Sequence, residues 1–229
     1  MTLTFLGGWA WLRLESSISR HMIRAMSHPN PVAGFILAGG ASSRMGVNKA
    51  LMEISGSSLL HRTARLLQPL VTDMTVIGPP DCYSQMGLHV LPDDRQGLGP
   101  LGGIATALRV SSSPWNLIVG CDLPYLTGEW LHFLLRRALA SSADALLPET
   151  ARGPEPLCAM YHRRCLASIR AAIERNNLKI TQGLSACVVE SIPEAEWKAF
   201  DSGGRLFKNM NAPADYEEAR AFFEGEGTR

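Results

Sequence analysis

Residues 32–37 (VAGFIL) form a continuous apolar run that stops at Gly39-Gly40, the pattern of a strand buried on both faces. Polar and apolar positions then take a helical spacing over residues 57–70, with Leu59, Leu60, Ala64, Leu67 and Leu70 on one face and Ser57 as a fair N-cap. Short apolar runs at 74–77 and 88–91 predict two more strands, the first stopped by Gly78-Pro79-Pro80 and the second by Pro92-Asp93-Asp94. Residues 99–110 predict a helix entered through a glycine-rich turn, and 117–119 a buried strand ending in Gly120-Cys121-Asp122. Further on, the periodicity predicts helices at 130–140, 164–175 and 213–223. It predicts strands at 145–147 and 157–161, and an outer strand at 186–192.

Strands and helices alternate from residue 32 to about 150, which argues for an α/β fold: a mostly parallel twisted sheet, Rossmann-like, with helices on both faces. No internal repeat or low-complexity linker divides it, so residues 31–229 are expected to form a single domain. Residues 1–30 precede the first convincing strand and are expected to be an N-terminal extension outside the fold. Their apolar stretch at 3–14 (LTFLGGWAWLRL) has no basic segment before it and no clear cleavage site after it. In open sheets of this kind ligands bind beyond the carboxyl ends of the strands, and the chain's chemistry-bearing segments all fall at that edge.

Composition narrows the function. A formal net charge of +1 gives no bulk electrostatic case for nucleic acid, so any polyanion must be met by local charge. No apolar run reaches the roughly 20 residues of a spanning helix. Cys82, Cys121, Cys158, Cys165 and Cys187 are odd in number, scattered and without a CxxC pair, which fits a reducing, cytoplasmic setting better than a disulfide framework or a zinc site. His61, His89, His132 and His162 show no ligand spacing.

The densest chemistry follows the first strand: Leu37-Ala38-Gly39-Gly40-Ala41-Ser42-Ser43-Arg44-Met45-Gly46-Val47-Asn48-Lys49. Glycines let backbone N–H groups approach phosphate oxygens, and serine hydroxyls with two cations complete the neutralisation of a triphosphate. The segment is not a Walker A loop, because Ala50 follows Lys49 where that motif needs Ser or Thr. A Gly-Gly turn alone would be an ordinary tight turn. Two serines, Arg44 and Lys49 after a buried strand point to phosphate. Asp122, just past the strand at 117–119, suits a hard cation that shares its shell with phosphate oxygens, although alone it fits a helix cap equally well. Asp93 with Gly99-Pro100-Leu101-Gly102-Gly103, and Asn209 with Asn211 before Pro213, read alone as a loop with a helix start and as an Asx turn.

Taken together, LAGGxSSRMGxxK, GPLGG, CDLP and FxNxN, in this order across residues 32–223, resemble the molybdenum cofactor guanylyltransferases. That family shares its fold with nucleotide-sugar pyrophosphorylases and with cytidylyltransferases for the same cofactor. The resemblance implies that Leu37, Ala38 and Gly39 line the nucleotide and that Lys49 meets the phosphates, with Arg44 added by its chemistry. It implies that Asp93 contacts the nucleoside, that Asp122 contacts the nucleotide and holds Mg2+, and that Asn209 and Asn211 sit near the metal or the acceptor phosphate. Catalysis would then fall to Lys49, Arg44 and Asp122. The implied reaction transfers GMP from GTP to the phosphate of molybdopterin and releases pyrophosphate. Molybdoenzymes or cofactor-carrier proteins would be the partners downstream. The segment 152–157 would face the acceptor, although a Pro-rich loop entering an edge strand fits it equally well. Three positions depart from the pattern: Asn48 stands for a common Asp, Gly78 for an Asn that contacts nucleotide, and Ala212 for a Thr. A cytidylyltransferase, a sugar-phosphate nucleotidyltransferase and a non-catalytic nucleotide-binding protein remain as alternatives. Gly39 leans toward guanine, and Asp122 leans against the non-catalytic reading.

Overall fold

The computed structural model describes residues 31–39, 48–201 and 203–226. The expected extension at 1–30 and the loop segment that contains Arg44 lie outside the described residues. The elements run β1 (Val32–Leu37), β2 (Glu53–Ile54), β3 (Ser57–Ser58), α1 (Leu59–Leu67), β4 (Asp73–Ile77), α2 (Pro80–Tyr83), β5 (Val90–Leu91), α3 (Gly99–Val110) and β6 (Trp115–Gly120). They continue with α4 (Gly128–Leu139), β7 (Ala145–Thr150), β8 (Gly153–Pro154), β9 (Cys158–His162), α5 (Cys165–Glu174), α6 (Ile180–Gly183), β10 (Val189–Ile192), α7 (Glu194–Trp197) and α8 (Pro213–Glu226).

The main sheet has the order β10-β7-β9-β6-β1-β4-β5, with β8 paired to β7. β1 is parallel to β4 and to β6, and β10 is parallel to β7, whereas β9 runs antiparallel to both of its neighbours. The α/β sheet expected from the sequence is therefore present, mostly parallel, with β9 reversed.

Period-two alternation along β1 divides the core. Val32 and Ile36 face one side, where Leu60, Ala64 and Leu67 of α1 and Trp130, Leu131 and Leu134 of α4 pack. Ala33, Phe35 and Leu37 face the other side, against Leu101, Ile104 and Leu108 of α3 and Ile169 of α5. Gly34 is needed at the close approach of β1 to the end of α1, because a Cβ there would lie 3.0 Å from a methyl of Val71. Trp130 is fully buried, and burial of so large an apolar surface is among the main stabilising contributions of the fold.

The helix expected at 57–70 begins later and ends sooner. Ser57 and Ser58 pair instead with Ile54 and Glu53 in a hairpin whose turn residues Ser55 and Gly56 have φ of 50° and 71°, the left-handed backbone that two-residue hairpin turns require. Ser58, one residue beyond the expected cap, accepts from the His61 N–H at 3.2 Å and starts α1. The hairpin and the C-terminal helix close a third small core of Ile54, Leu59, Tyr125, Met210 and Ala219, and the Tyr216 hydroxyl donates to the Glu53 carbonyl at 2.8 Å. Among the described residues no helix is long and apolar enough to cross a membrane.

Candidate functional site

The chain leaves β1 toward β4 and β5 on one side, then returns through α3 to β6 on the other side. β1 and β6 are thus adjacent strands whose following connections diverge, the switch point at which such sheets open a crevice. The end of β1 is tied to both neighbours: the Cys121 N–H after β6 donates to the Leu37 carbonyl at 3.2 Å, and the Ala38 N–H donates to the Ile77 carbonyl of β4 at 2.9 Å. Leu37, Ala38 and Gly39 therefore lie beside Asp122 at the carboxyl edge.

Lys49 is set by the residue before it. The Asn48 side-chain oxygen accepts from the Ala50 N–H at 3.1 Å and caps a 3-10 turn over Lys49–Leu51. The Tyr83 hydroxyl lies 2.8 Å from the Ala38 carbonyl and 3.1 Å from that same Asn48 oxygen. Tyr83 is buried and bridges the end of β1 to the start of the Lys49 turn. Burial pushes its pKa up to about 12, so it stays a neutral donor. It also accounts for Gly78: a Cβ there would lie 2.9 Å from the Tyr83 ring and 3.1 Å from the Ala38 backbone, so the Asn that the family resemblance leads one to expect here has no room.

From Lys49 the site reaches the C-terminal segment. The Lys49 ammonium donates to the Asn211 side-chain oxygen at 3.2 Å across 162 residues of chain. The Met210 N–H donates to the Asp122 carbonyl at 2.9 Å. The Asp215 carboxylate caps α8 by accepting from the Asn211 and Ala212 N–H groups at 2.9 and 2.8 Å. Those bonds hold its pKa below the ordinary range and hold Asn211 in place without the usual Thr at 212. Asn209 is half-buried on the same segment.

Asp122 is half-buried, and one carboxylate oxygen lies 2.8 Å from where a Cβ on Gly120 would stand. Desolvation raises its pKa. A backbone hydrogen bond and the nearby Lys49 charge oppose that shift. Glu155, whose side chain is 15% exposed, is raised by burial against the pull of Arg152, and the Asp122 charge adds to the upward shift. Arg152 reaches from the β7–β9 connection to the Phe207 carbonyl at 3.1 Å, so segment 152–155 and the asparagine segment are joined.

Asp93 completes the edge. Its two oxygens lie against two glycines: one is 3.0 Å from a notional Cβ on Gly39, the other 3.5 Å from one on Gly103. The oxygen facing Gly103 is buried and has no hydrogen-bond partner in the structure. Desolvation, and secondarily the Asp94 charge, raise its pKa. Asp94 is engaged elsewhere, as an ion pair with Arg109. A buried carboxylate oxygen without a donor costs on the order of 1–3 kcal/mol, and a ligand N–H or O–H removes that cost.

The structure brings Leu37, Ala38, Gly39, Lys49, Asp93, Asp122 and Asn211 to one edge, with Asn209 on the adjoining segment. Arg44 lies outside the described residues. Sequence reasoning missed Tyr83, whose short helix carries no motif. The histidines serve locally: His61 contacts Ser58 and the Met86 carbonyl, and His89 contacts Thr75. Among the described residues no three His, Cys, Asp or Glu side chains converge as a metal cage.

Residues 34–188 match the model of the MobA-like NTP transferase domain. The chain belongs to the MobA-like NTP transferase family. It is 38% identical over 193 residues to a probable molybdenum cofactor guanylyltransferase of Deinococcus radiodurans, a match covering 82% of this chain and 93% of the relative. It is 30% identical over 196 residues to a probable enzyme of the same description from Pelotomaculum thermopropionicum, covering 85% and 95%. Among solved structures, molybdopterin-guanine dinucleotide biosynthesis protein A of Archaeoglobus fulgidus superposes with a TM-score of 0.75 at 24% identity, covering 84% of this chain and 99% of that one. CMP:2-keto-3-deoxy-manno-octonic acid synthetase, solved with CTP, shares the fold with a TM-score of 0.68 at 11% identity. This MobA-like chain is thus a nucleotidyltransferase by family, and it shares the fold of these solved structures.

Proposed function

We propose that this MobA-like transferase moves GMP from GTP to the phosphate of molybdopterin, in the cytoplasm, with Mg2+ as its metal. The observation that carries the reading is the convergence of Lys49, Asn211 and Asp122 where β1 and β6 end. One carboxylate with amide oxygens beside it fits Mg2+, which takes one or two carboxylates and fills the rest of its shell with phosphate oxygens and water. Asp122 would hold the metal, with Asn209 and Asn211 in its vicinity. When bound, Mg2+ supplies charge neutralisation on the triphosphate as pyrophosphate leaves.

In this reading an acceptor phosphate oxygen attacks the α-phosphorus of GTP. The bond from that phosphorus to the bridging oxygen breaks, and pyrophosphate departs with the electron pair. The protein needs no nucleophile of its own. Lys49 pairs with the phosphates, Arg44 adds a second cation, and Leu37, Ala38 and Gly39 line the nucleotide. Positioning and electrostatics then carry the rate. Asp93 accepts hydrogen bonds from the nucleoside in the slot between Gly39 and Gly103. Residues 31–229 form the transferase unit and 1–30 an extension, so a chain beginning at Met26 would fold and retain transfer.

The test is pyrophosphate release with molybdopterin as acceptor, run with GTP and with CTP. GTP should be preferred at least tenfold, a difference of about 1.4 kcal/mol. A preference for CTP would overturn the base assignment. No release with either nucleotide would overturn the reaction.

A further inference from the structure

The outer flank of α1 carries two cations that no carboxylate among the described residues neutralises. Arg62 and Arg65 stand three residues apart on this helix. Both line a cavity of about 200 Å3, walled also by Leu66 and by Leu123, Pro124 and Leu126 of the loop after β6. The Arg62 guanidinium carbon sits 4.0 Å from the centre of the Phe223 ring, and its Nε is buried without a hydrogen-bond partner. The Arg65 guanidinium donates to the Ser57 hydroxyl and is otherwise exposed. Arg62 and Arg65 form no ion pair with a carboxylate among the described residues; neither do Arg95, Arg136, Arg163, Arg170 and Arg175, but none of those five lines this cavity. Burial, and then the charge of Arg65, hold the Arg62 pKa below its ordinary value.

Two arginines lining one cavity bring planar forks of N–H donors and two positive charges to it. Oxyanions, phosphate above all, meet that geometry with paired acceptor oxygens. We propose that the cavity between α1 and residues 123–126 is a binding site for a phosphate-class oxyanion, separate from the Lys49 site. An occupant would relieve the Arg62–Arg65 repulsion. Because Leu123 and Pro124 directly follow Asp122, it would also brace the loop that carries this carboxylate.

Inorganic orthophosphate is the probe, titrated against chloride at matched ionic strength while the melting temperature of the full chain is followed. At ten times its dissociation constant, a ligand of the folded state raises the folded-to-unfolded ratio about elevenfold, which lifts the melting temperature by roughly 3 °C or more at this chain length. The rise should saturate in wild type and in Lys49→Ala. It should vanish in Arg65→Gln, whose exposed side chain can change without loss of core packing and whose transfer rate without phosphate should match wild type. Arg62→Gln should behave as Arg65→Gln does, and if it fails to fold, Arg65→Gln decides alone. A saturable rise with the same midpoint in Arg65→Gln would overturn the proposal. So would its loss in Lys49→Ala, which would assign the phosphate to the nucleotide site, or the absence of any saturable rise in wild type.

Discussion

Asp122→Asn separates chemistry from architecture at the centre of the site. The substitution keeps the size of the side chain and removes its charge. In the folded protein that charge is disfavoured by burial and favoured by a backbone hydrogen bond and by Lys49. Neutralisation therefore removes a desolvation cost, and the melting temperature should hold or rise slightly. The Met210 N–H binds the Asp122 main-chain carbonyl, not the carboxylate, so the asparagine segment stays anchored. Catalysis should respond very differently. A charge-assisted contact is worth about 1.5–3 kcal/mol, and one that strengthens as charge builds on the leaving pyrophosphate sits at or above the upper end of that range. At 1.36 kcal/mol per factor of ten, transfer should fall on the order of a hundredfold or more. The assay is pyrophosphate release across a Mg2+ titration, with a melting curve on the same preparation. Part of the lost rate should return at high Mg2+ if the defect is metal affinity. Wild-type activity with unaltered Mg2+ dependence would refute the metal assignment. A collapsed melting temperature would show that the carboxylate is structural.

Three further substitutions probe the rest of the edge. Lys49→Ala should weaken GTP binding and slow transfer by on the order of ten- to a hundredfold, the equivalent of about 1.5–3 kcal/mol, and kinetics equal to wild type would move the phosphate site elsewhere. Tyr83→Phe removes the hydroxyl at the Ala38 carbonyl and the Asn48 oxygen; denaturant unfolding should show a loss of about 1–2 kcal/mol and the KM for GTP should rise, whereas a KM left unchanged would make the bridge purely structural. Asp93→Asn should lower kcat/KM for GTP about tenfold or more while raising the melting temperature at pH 7. Because the folded pKa of Asp93 is raised by desolvation, its cost is absent below the unfolded carboxyl value and grows as pH rises to the folded one. The gain from Asn should accordingly shrink toward pH 4, and a gain independent of pH would contradict the carboxylate as its source.

Much of this architecture was legible in the chain because it rests on short-range rules. The helix at Gly99–Val110 has the bounds that its glycine entry and apolar spacing predict. The strand at Val32–Leu37 is buried throughout, as an uninterrupted apolar run requires. Other features depend on partners distant in sequence. β9 carries the same kind of apolar run as β6, and nothing in the run says that it enters the sheet reversed. Ser57 reads as a helix cap until the Ser55-Gly56 turn folds it against Ile54. At the site, motif glycines and carboxylates could be named, but the Lys49–Asn211 contact spans 162 residues and follows from topology alone. Only the family resemblance singles out Asp93 from Asp94 in the sequence; spacing and residue type do not. In the structure the ion pair of Asp94 with Arg109 and the unpartnered oxygen of Asp93 separate the two. Tyr83 carries no motif, and its role appears only once Gly78 leaves room for its ring.

The two carboxylates at this edge are held in environments that disfavour their charge, and that is a physical property of the site as much as its residue list. Asp122 and Asp93 both have pKa values raised first of all by desolvation, on the two sides of Leu37–Gly39. A fold selected for stability alone would place amides or apolar groups at both positions. The strain is borne by the layers beneath, where α1 and α4 on one face and α3 and α5 on the other bury the central strands completely. The arrangement makes sense if the missing counter-charges and donors arrive with the ligand: nucleoside donors at Asp93, and a divalent cation with triphosphate at Asp122 and Lys49. If the ligand brings those partners, the unfavourable terms at Asp93 and Asp122 would be offset on binding, and affinity and rate would draw on that difference.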